Sequence, residues 1–153
     1  MIEIKQYKPK YFNATISTLE LLIEEDKEKK LFEGQWSDKD YYIHEYLSKK
    51  KYTPFIATKD DNEVLGYIIG KKDDLNSKIF HIEMHYVRKN YRKQGLARKL
   101  RNYLVEYAKD KGYTELRSYT AADNEAVVRL SKSMDWEVER KDNWYLFKKD
   151  LTK

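Results

Sequence analysis

The most informative stretch of the sequence is Val87-Arg88-Lys89-Asn90-Tyr91-Arg92-Lys93-Gln94-Gly95-Leu96-Ala97. An alternating apolar run over 78–87 leads into it and predicts a strand, and a helical pattern continues from Leu96 to about Gly112. The first turn of a helix leaves backbone N–H groups unpaired and carries partial positive charge. Gly95 allows a ligand to approach that backbone closely. The stretch therefore predicts a strand, a basic loop and a helix whose N-terminus suits a pyrophosphate.

Positive charge is concentrated in the same region. The chain of 153 residues has a net charge of +5, yet residues 88–111 contain nine basic and two acidic residues, so the remainder is net negative. A nucleic-acid-binding module that uses this segment on phosphates is the alternative from another class of protein. Acidic residues elsewhere offset the basic ones, which favours a small polyanionic ligand over a polymer.

Composition excludes several other classes of protein. The chain has no cysteine, which removes disulfides, thiolate metal sites and cysteine nucleophiles. No apolar run approaches the roughly 20 residues of a membrane span, and the N-terminal residues 1–7 resemble a strand rather than a signal peptide. We expect one domain over residues 1–153, in the cytoplasm.

Apolar spacing and turn residues predict a mixed α/β chain. The alternation over 78–87 places Ile82, Met84 and Tyr86 on one strand face and His81, Glu83 and His85 on the other. The predicted elements are a strand over 2–7, a helix from Tyr11 to about Ile23, a helix led by Ser37-Asp38-Lys39-Asp40, strands over 52–58, 64–69 and 78–87, the helix after Gly95, a strand over 114–119, a helix capped by Asp123 or Asn124, and closing strands over 137–149.

Residues 92–97 match the Arg/Gln-x-x-Gly-x-Gly/Ala signature of the GCN5-related N-acetyltransferases (GNAT family), and Val87 stands at that family's usual valine. The order of elements resembles that family over essentially the whole chain. The resemblance implies an α/β, single-domain GNAT-like fold: a mixed, mostly antiparallel twisted sheet with about four flanking helices. It also implies a CoA cleft between the two central strands.

A second match begins at Asn124, where the family has an Asn that caps the next helix. Leu130 and Trp136 stand at the family's Leu and Phe positions. Ser131 replaces the frequent Tyr, and Asp135 replaces a Gly. That Tyr is the family's frequent general acid for the departing thiolate, so the resemblance leaves this role without a clear residue here.

The resemblance implies an acetyl-CoA-dependent N-acetyltransferase that moves an acetyl group directly to a primary amine of a small molecule or a peptide or protein. No covalent intermediate, metal or further cofactor is expected. A CoA-binding GNAT-like protein without catalysis is the alternative within the same fold. The residues expected to bind acetyl-CoA are Tyr86, Val87, Arg92, Lys93, Gln94, Gly95, Leu96, Ala97, Arg98 and Asn124.

A protonated amine must lose a proton before it attacks. Glu83 is the expected general base because many relatives carry an acid four residues before the valine, and His85 is the second choice. Tyr119 is the remaining candidate for the general acid. The alternatives are that Glu83 is a surface carboxylate, or that His81, Glu83 and His85 hold a metal ion. Their spacing of roughly 7 Å along a strand disfavours the metal site.

The acceptor is not readable from the sequence. An acidic and aromatic region would favour a cationic amine, although a solvated helix end with interspersed lysines is the better explanation of it; the region comprises Glu20, Glu24, Glu25, Asp26, Glu28, Glu33, Trp36, Tyr41 and Tyr42. Expected partners are a small-molecule amine or a peptide, without nucleic acid or membrane. The C-terminal aromatic residues Trp136, Trp144, Tyr145 and Phe147 belong either to a homodimer edge or to the core.

Overall fold

The computed structural model describes residues 1–29, 45–60, 63–121 and 124–153. The described elements follow the predicted order, and residues 45–48 are helical; the predicted cap at Ser37 lies outside the described residues. The elements are β1 (Ile2–Gln6), α1 (Phe12–Lys29), β2 (Tyr52–Lys59), β3 (Glu63–Lys72), β4 (Ile79–Val87), α2 (Leu96–Asp110), β5 (Glu115–Ala121), α3 (Glu125–Ser133), β6 (Glu137–Arg140) and β7 (Trp144–Asp150).

The seven strands form one sheet in the order β1-β2-β3-β4-β5-β7-β6. β4 and β5 are parallel, whereas the other neighbouring strands are antiparallel, which confirms the mixed and mostly antiparallel sheet. The pairing of β4 with β5 runs from Ile79 opposite Glu115 to Ile82 opposite Ser118. Beyond those pairs the two central strands separate, and we call the space between them the β4–β5 gap.

Helices cover the sheet on both faces, and this explains the long apolar runs of β2 and β3. On one face α2 contributes Leu100 and Leu104 to a core that includes Phe80, Ile82 and Leu116. On the opposite face α1 packs against a second core, whose buried members include Leu19, Ile56, Ile69, Met84 and Tyr86. Burial of one such side chain contributes about 1.5–3 kcal/mol relative to exposure.

Two glycines of β3 let α2 lie close to the sheet. A Cβ on Gly66 would lie 2.6 Å from the Tyr86 carbonyl oxygen, and one on Gly70 would collide with the Phe80 ring. Leu100 and Leu104 lie over these glycines, at 3.4 and 3.2 Å from the same Cβ positions. The two glycines therefore serve the packing of the strand against β4 and of α2 against the sheet.

The predicted alternation along β4 is wrong because the strand contains a β-bulge. Ile82 pairs with Gly70 and Met84 with the adjacent Ile69, so Glu83 is the extra residue. A bulge reverses the faces that follow it. Ile82 consequently faces α2 while Met84 and Tyr86 face α1.

The C-terminal aromatic residues divide between core and surface. Trp136 and Phe147 are buried in the core on the α2 face, and Tyr145 packs against it in part. Trp144 is 38% exposed. Among the described residues, no helix combines the length and the apolar character needed to cross a bilayer.

Candidate active site

The basic loop of residues 88–95 ends at the start of α2, where Gly95 occupies the N-cap position with φ of 81°. Lys93 also has a positive φ, of 63°. Within the described parts of the chain, the backbone N–H groups of residues 93–97 donate to no protein acceptor. A Cβ on Gly95 would have nothing within 4 Å. The start of α2 therefore presents unpaired donors and open space to an anion.

The Arg92 side chain turns inward instead of toward solvent. Its Nε donates to the Val87 carbonyl at 2.8 Å, and its Nη2 donates to both carboxylate oxygens of Glu25 at 2.9 and 2.8 Å. The guanidinium also lies 5.3 Å from the centre of the Tyr86 ring. Its charge is thus shared with a carboxylate of α1, and the backbone amides of the loop are left to face an incoming phosphate.

Tyr86 takes part in the same cluster on the α1 face. Its hydroxyl donates to Glu25 Oε1 at 2.6 Å. Burial raises the pKa of Tyr86, and the hydrogen bond to the Glu25 carboxylate raises it further. Tyr86 is therefore a neutral hydrogen-bond donor that helps to fix Glu25.

The remaining predicted loop residues are spread around the start of α2. Lys93 and Gln94 are exposed, and Leu96 is buried in the core. Ala97 packs against that core in part. Arg98 crosses to the end of α3, where Nη2 donates to Ser133 Oγ at 2.7 Å.

The second half of β4 directs a backbone donor into the β4–β5 gap. Residues 84–87 pair with β3, and the Arg88 N–H donates to the Leu65 carbonyl of β3 at 2.8 Å. Successive residues of a strand direct their N–H groups to opposite edges. The Val87 N–H consequently faces the gap, at the end where the basic loop begins.

The two candidate bases lie on opposite sides of the sheet. Glu83 is exposed at the bulge, and its negative charge helps to raise the pKa of Tyr52, after the larger effect of burial. His85 faces α2, and its Nε2 is buried without a partner among the described residues. Burial lowers the pKa of His85 to about 3, and the positive charge of Arg101 lowers it as well. His85 is therefore neutral near pH 7 and a weak base, whereas Glu83 is open to an approaching amine.

His81 and Tyr119 belong to an aromatic row on the other face. His81 Nε2 contacts Asp73 Oδ1 at 2.5 Å, and its ring stacks on Tyr119 at 6.0 Å. Tyr119 is 49% exposed and its ring lies 5.3 Å from that of Trp144.

The bulge places His81 and His85 on opposite faces of the sheet, which separates these two candidate metal ligands. The described residues contain no group of three or more His, Asp or Glu arranged to hold a metal ion.

Asn124 caps α3 as predicted. Its Oδ1 accepts from the Val127 N–H at 3.4 Å, and its amide donates to Thr120 Oγ1 at 3.1 Å. At the other end of α3, Asp135 has φ of 60°. The Trp136 N–H donates to the Ser131 carbonyl at 3.0 Å. This bond is typical of a helix that ends with one residue in the left-handed conformation, here Asp135. This conformation explains why a Gly fits at position 135 and why Asp, which tolerates it, can replace the Gly.

Sequence reasoning missed the most unusual residue near the gap, Arg101. It is one of the nine basic residues of the segment 88–111, but it is 1% exposed within the fold. The helical spacing contained the signal, because position 101 lies four residues after Ala97 and three before Leu104. Arg101 therefore falls on the face that α2 turns toward the sheet.

Part of the acidic rim lies in the described structure. Glu20 and Glu24 of α1 are exposed, and Glu25 binds Arg92 and Tyr86. For the remaining predicted rim residues, either the position or the side chain lies outside the description: Asp26, Glu28, Glu33, Trp36, Tyr41 and Tyr42.

Comparisons with known proteins agree with this geometry. The family model of the acetyltransferase (GNAT) family matches residues 18–136. Thialysine N-epsilon-acetyltransferase from Caenorhabditis elegans is 32% identical over 71 residues, which span 46% of this chain and 44% of that relative. The match thus covers less than half of the relative's length.

Solved structures of acetyltransferases share the whole fold. A GNAT-family acetyltransferase from Staphylococcus aureus Mu50 superposes with a TM-score of 0.78 at 14% identity, covering 99% of both chains. Arabidopsis thaliana NAA60, solved in complex with acetyl-CoA, superposes with a TM-score of 0.73 at 17% identity over 100% of both chains. Because the family model matches most of the chain and the sheet opens beside the signature loop, this protein belongs to the GNAT acetyltransferase family.

Proposed function

We propose that this protein is an N-acetyltransferase that moves the acetyl group of acetyl-CoA directly to a primary amine, and that residues 1–153 act as one catalytic domain. The observation that carries the proposal is the continuity of the β4–β5 gap with the unpaired N–H groups of residues 93–97. A long ligand with a pyrophosphate at one end and a thioester at the other fits such a site. Membership of the family supports the same ligand.

The residues present suit acetyl-CoA. The amides from Lys93 to Ala97 would hold the pyrophosphate, whereas the Arg92 N–H already donates to the Lys89 carbonyl at 3.4 Å; Lys93, Gln94 and Arg98 would line the outer side of the site. The backbone of Tyr86 and Val87 would hold the pantetheine arm along the edge of β4 in place of the missing neighbour strand. Asn124 lies at the start of α3, across the gap.

The reaction requires an oxyanion stabiliser and a base. The Val87 N–H faces the gap and would donate to the thioester oxygen as negative charge develops there. Glu83, on the exposed bulge, would accept the proton of the amine directly or through water. The new C–N bond forms as the C–S bond breaks, so no nucleophilic side chain is needed. Tyr119 remains the candidate for proton transfer to sulfur.

The acceptor is a primary amine of a small molecule or a peptide. The similarity to an enzyme named for thialysine, a lysine analogue, supports amines of the lysine type for the first screen. The exposed carboxylates Glu20 and Glu24 on α1 would attract such cationic acceptors over short distances.

Binding of acetyl-CoA is tested by thermal unfolding at millimolar acetyl-CoA. At about 100 times its dissociation constant, a ligand adds about 2.7 kcal/mol to the free energy of unfolding. No rise in melting temperature at saturation contradicts the proposal, and a rise with duplex nucleic acid alone favours the nucleic-acid alternative. Gly95→Leu should abolish the acetyl-CoA effect because a side chain there would occupy the phosphate position.

The matched control is Gly112→Leu, at the opposite end of the same helix. Gly112 also has a positive φ, of 88°, and nothing within 4 Å of its Cβ position. Both substitutions carry the same backbone cost of about 1–2 kcal/mol. Only Gly95→Leu should lose the stabilisation by acetyl-CoA; an equal loss in both variants would contradict the loop assignment.

Catalysis is tested by thiol release over a panel of amines that includes lysine, thialysine and short peptides. Glu83→Gln should lower turnover with the best acceptor by about 10²-fold or more and remove the acidic limb of the pH profile. Glu106→Gln, an exposed carboxylate on α2, is the control and should have no effect. Unchanged turnover in Glu83→Gln would reject this base, and acetyl-CoA binding without turnover on any amine would favour the non-catalytic alternative.

A further inference from the structure

Arg101 is a buried arginine whose described partners are neutral. Its Nη1 donates to Ser131 Oγ at 2.7 Å, and its guanidinium lies 4.6 Å from the centre of the Trp136 ring. Its Nε is buried and has no hydrogen-bond partner among the described residues. Buried charges are normally paired with an opposite charge. Within the described parts of the chain, no carboxylate forms an ion pair with Arg101.

The side chains around Arg101 leave its charge uncompensated near neutral pH. Burial lowers the pKa of Arg101 to about 10, so the guanidinium remains protonated. His85 faces it from β4 and is neutral, because burial lowers its pKa to about 3. Ser131 and Trp136 face it from α3 and the segment that follows, and neither carries a charge. The cluster therefore holds one net positive charge in a region of low dielectric.

This charge lies on the α2 face of the sheet, beside the half of β4 that has separated from β5. His85 belongs to the half of β4 that has left β5, and it senses the positive charge of Arg101. Ser131, which is fully buried, lies on α3, the helix that follows β5. Arg101 thus contacts α3, which follows β5, and lies near enough to His85 of β4 to lower its pKa, so it interacts with elements on both sides of the β4–β5 gap.

We propose that Arg101 stabilises the thiolate of CoA as it leaves, an inference that rests on the proposed acetyl transfer. When the amine forms its C–N bond, the C–S bond breaks and its electron pair stays on sulfur. A fixed positive charge beneath the gap favours that anion through space, without transferring a proton. The amine proton goes to Glu83, and the thiolate takes its proton only after the C–S bond has broken, from Tyr119 or from water.

The residue at position 131 explains why an arginine, and not a proton-donating phenol at that position, would act on the leaving thiolate. Its hydroxyl is buried and accepts a hydrogen bond from Arg101, so it is poorly placed to protonate a thiolate in the gap. A larger side chain at position 131 would run into the guanidinium that covers Ser131 Oγ. The fixed charge of Arg101 therefore takes the part that a phenol would have as a proton donor.

The test measures the thiol pKa of CoA bound to the protein, from the ultraviolet absorbance of the thiolate against pH. The complex with desulfo-CoA, which lacks the thiol, supplies the baseline that removes tyrosine ionisation. We expect the bound thiol of the unmodified protein to titrate about one pKa unit or more below free CoA. Arg101→Met should remove that shift, Arg101→Lys should retain most of it, and Arg129→Met, an exposed arginine on α3, should leave it unchanged.

The outcomes separate this inference from the proposed function. Absence of CoA binding to the unmodified protein would reject both. Binding with a thiol pKa equal to that of free CoA, or one that Arg101→Met leaves shifted, would reject the role of Arg101 alone. Because the unmodified protein already gives a decisive titration, the test stands even if Arg101→Met does not fold.

Discussion

The two halves of β4 differ in what surrounds them. Residues 79–82 pair with β3 on one edge and β5 on the other, and their inward side chains join the apolar core under α2. Residues 83–87 pair with β3 alone, begin with the bulge at Glu83, and have polar neighbours on both faces. Residues 79–82 hold the two parts of the sheet together, whereas residues 83–87 leave backbone groups and charged side chains available to a ligand. Substitutions in the two halves should therefore affect different properties.

The largest effect on stability is expected in the paired half, from Phe80→Ala. Phe80 is 2% exposed, and its ring lies 4.7 Å from that of Tyr113 and 5.9 Å from that of Tyr107. Loss of such a ring leaves a cavity and costs about 3–5 kcal/mol. Chemical denaturation measures this loss. The folded variant should keep its stabilisation by acetyl-CoA, and loss of that stabilisation would remove the distinction between the halves.

The glycines of β3 provide a matched pair, one opposite each half. Gly70→Ala would press on the Phe80 ring, and Gly66→Ala would press on the Tyr86 carbonyl oxygen. We expect each to cost about 1–3 kcal/mol in unfolding free energy. Only Gly66→Ala should also weaken acetyl-CoA binding, measured by calorimetry, because it displaces the backbone that faces the gap. Equal affinities in the two variants would contradict this assignment.

A smaller effect is expected on the α1 face of the open half, from Glu25→Gln. The substitution removes the charge that binds Arg92. The Glu25 side chain is 23% exposed and the Arg92 side chain is 35% exposed. Because solvent screens this pair in part, we expect a loss of about 0.5–1 kcal/mol that shrinks at high salt. Glu24→Gln, the exposed neighbour, is the control. An equal loss in both variants would show that the ion pair contributes nothing specific.

The smallest effect concerns Asp73, in the turn before the paired half. A hydrogen bond from His81, together with smaller effects of the N–H groups of Asn76 and Leu75, lowers the pKa of Asp73 to about 2. The ordinary value is 3.8, so this carboxylate stabilises the fold above pH 3.8, and the effect is lost as the pH falls through about 2.

Asp73→Asn should accordingly lower the melting temperature near pH 5, and the difference from the unmodified protein should shrink toward zero as the pH falls through about 2. Asp74→Asn provides a control, since the Asp74 side chain is 78% exposed. A difference for Asp73→Asn that is constant over this range would contradict the role of its charge.

The order of elements was predictable because local patterns encode it. Asn124 caps its helix, and Gly95 and Gly112 mark the ends of α2. The bulge at Glu83 was not predictable, since a strict alternation of residue types gives no sign of an inserted residue. The pairing of Arg92 with Glu25 was missed for another reason: 67 positions separate them in sequence, and the fold alone brings them together.

The charge of the basic segment also acquires a different meaning in three dimensions. Arg92 is paired with a carboxylate, and Arg101 is buried beneath the sheet. The side chains of Lys93 and Arg98 remain near the surface, close to the loop that the resemblance assigns to pyrophosphate. Counting charges along the chain located the region but could not distinguish these three roles.

The short parallel ladder has a consequence for how the molecule opens. Among the described strands, β1 to β4 form one antiparallel block and β5, β7 and β6 form another, joined through the pairs from Ile79–Glu115 to Ile82–Ser118. If the β4–β5 pairing breaks, each block retains its own hydrogen bonds. This pairing, which we call the seam, is therefore a natural boundary between cooperative units. A cosubstrate bound in the gap would touch both blocks. Its binding should then slow amide hydrogen exchange in all the β4–β5 pairs, so the ligand would stabilise the fold as well as take part in the reaction.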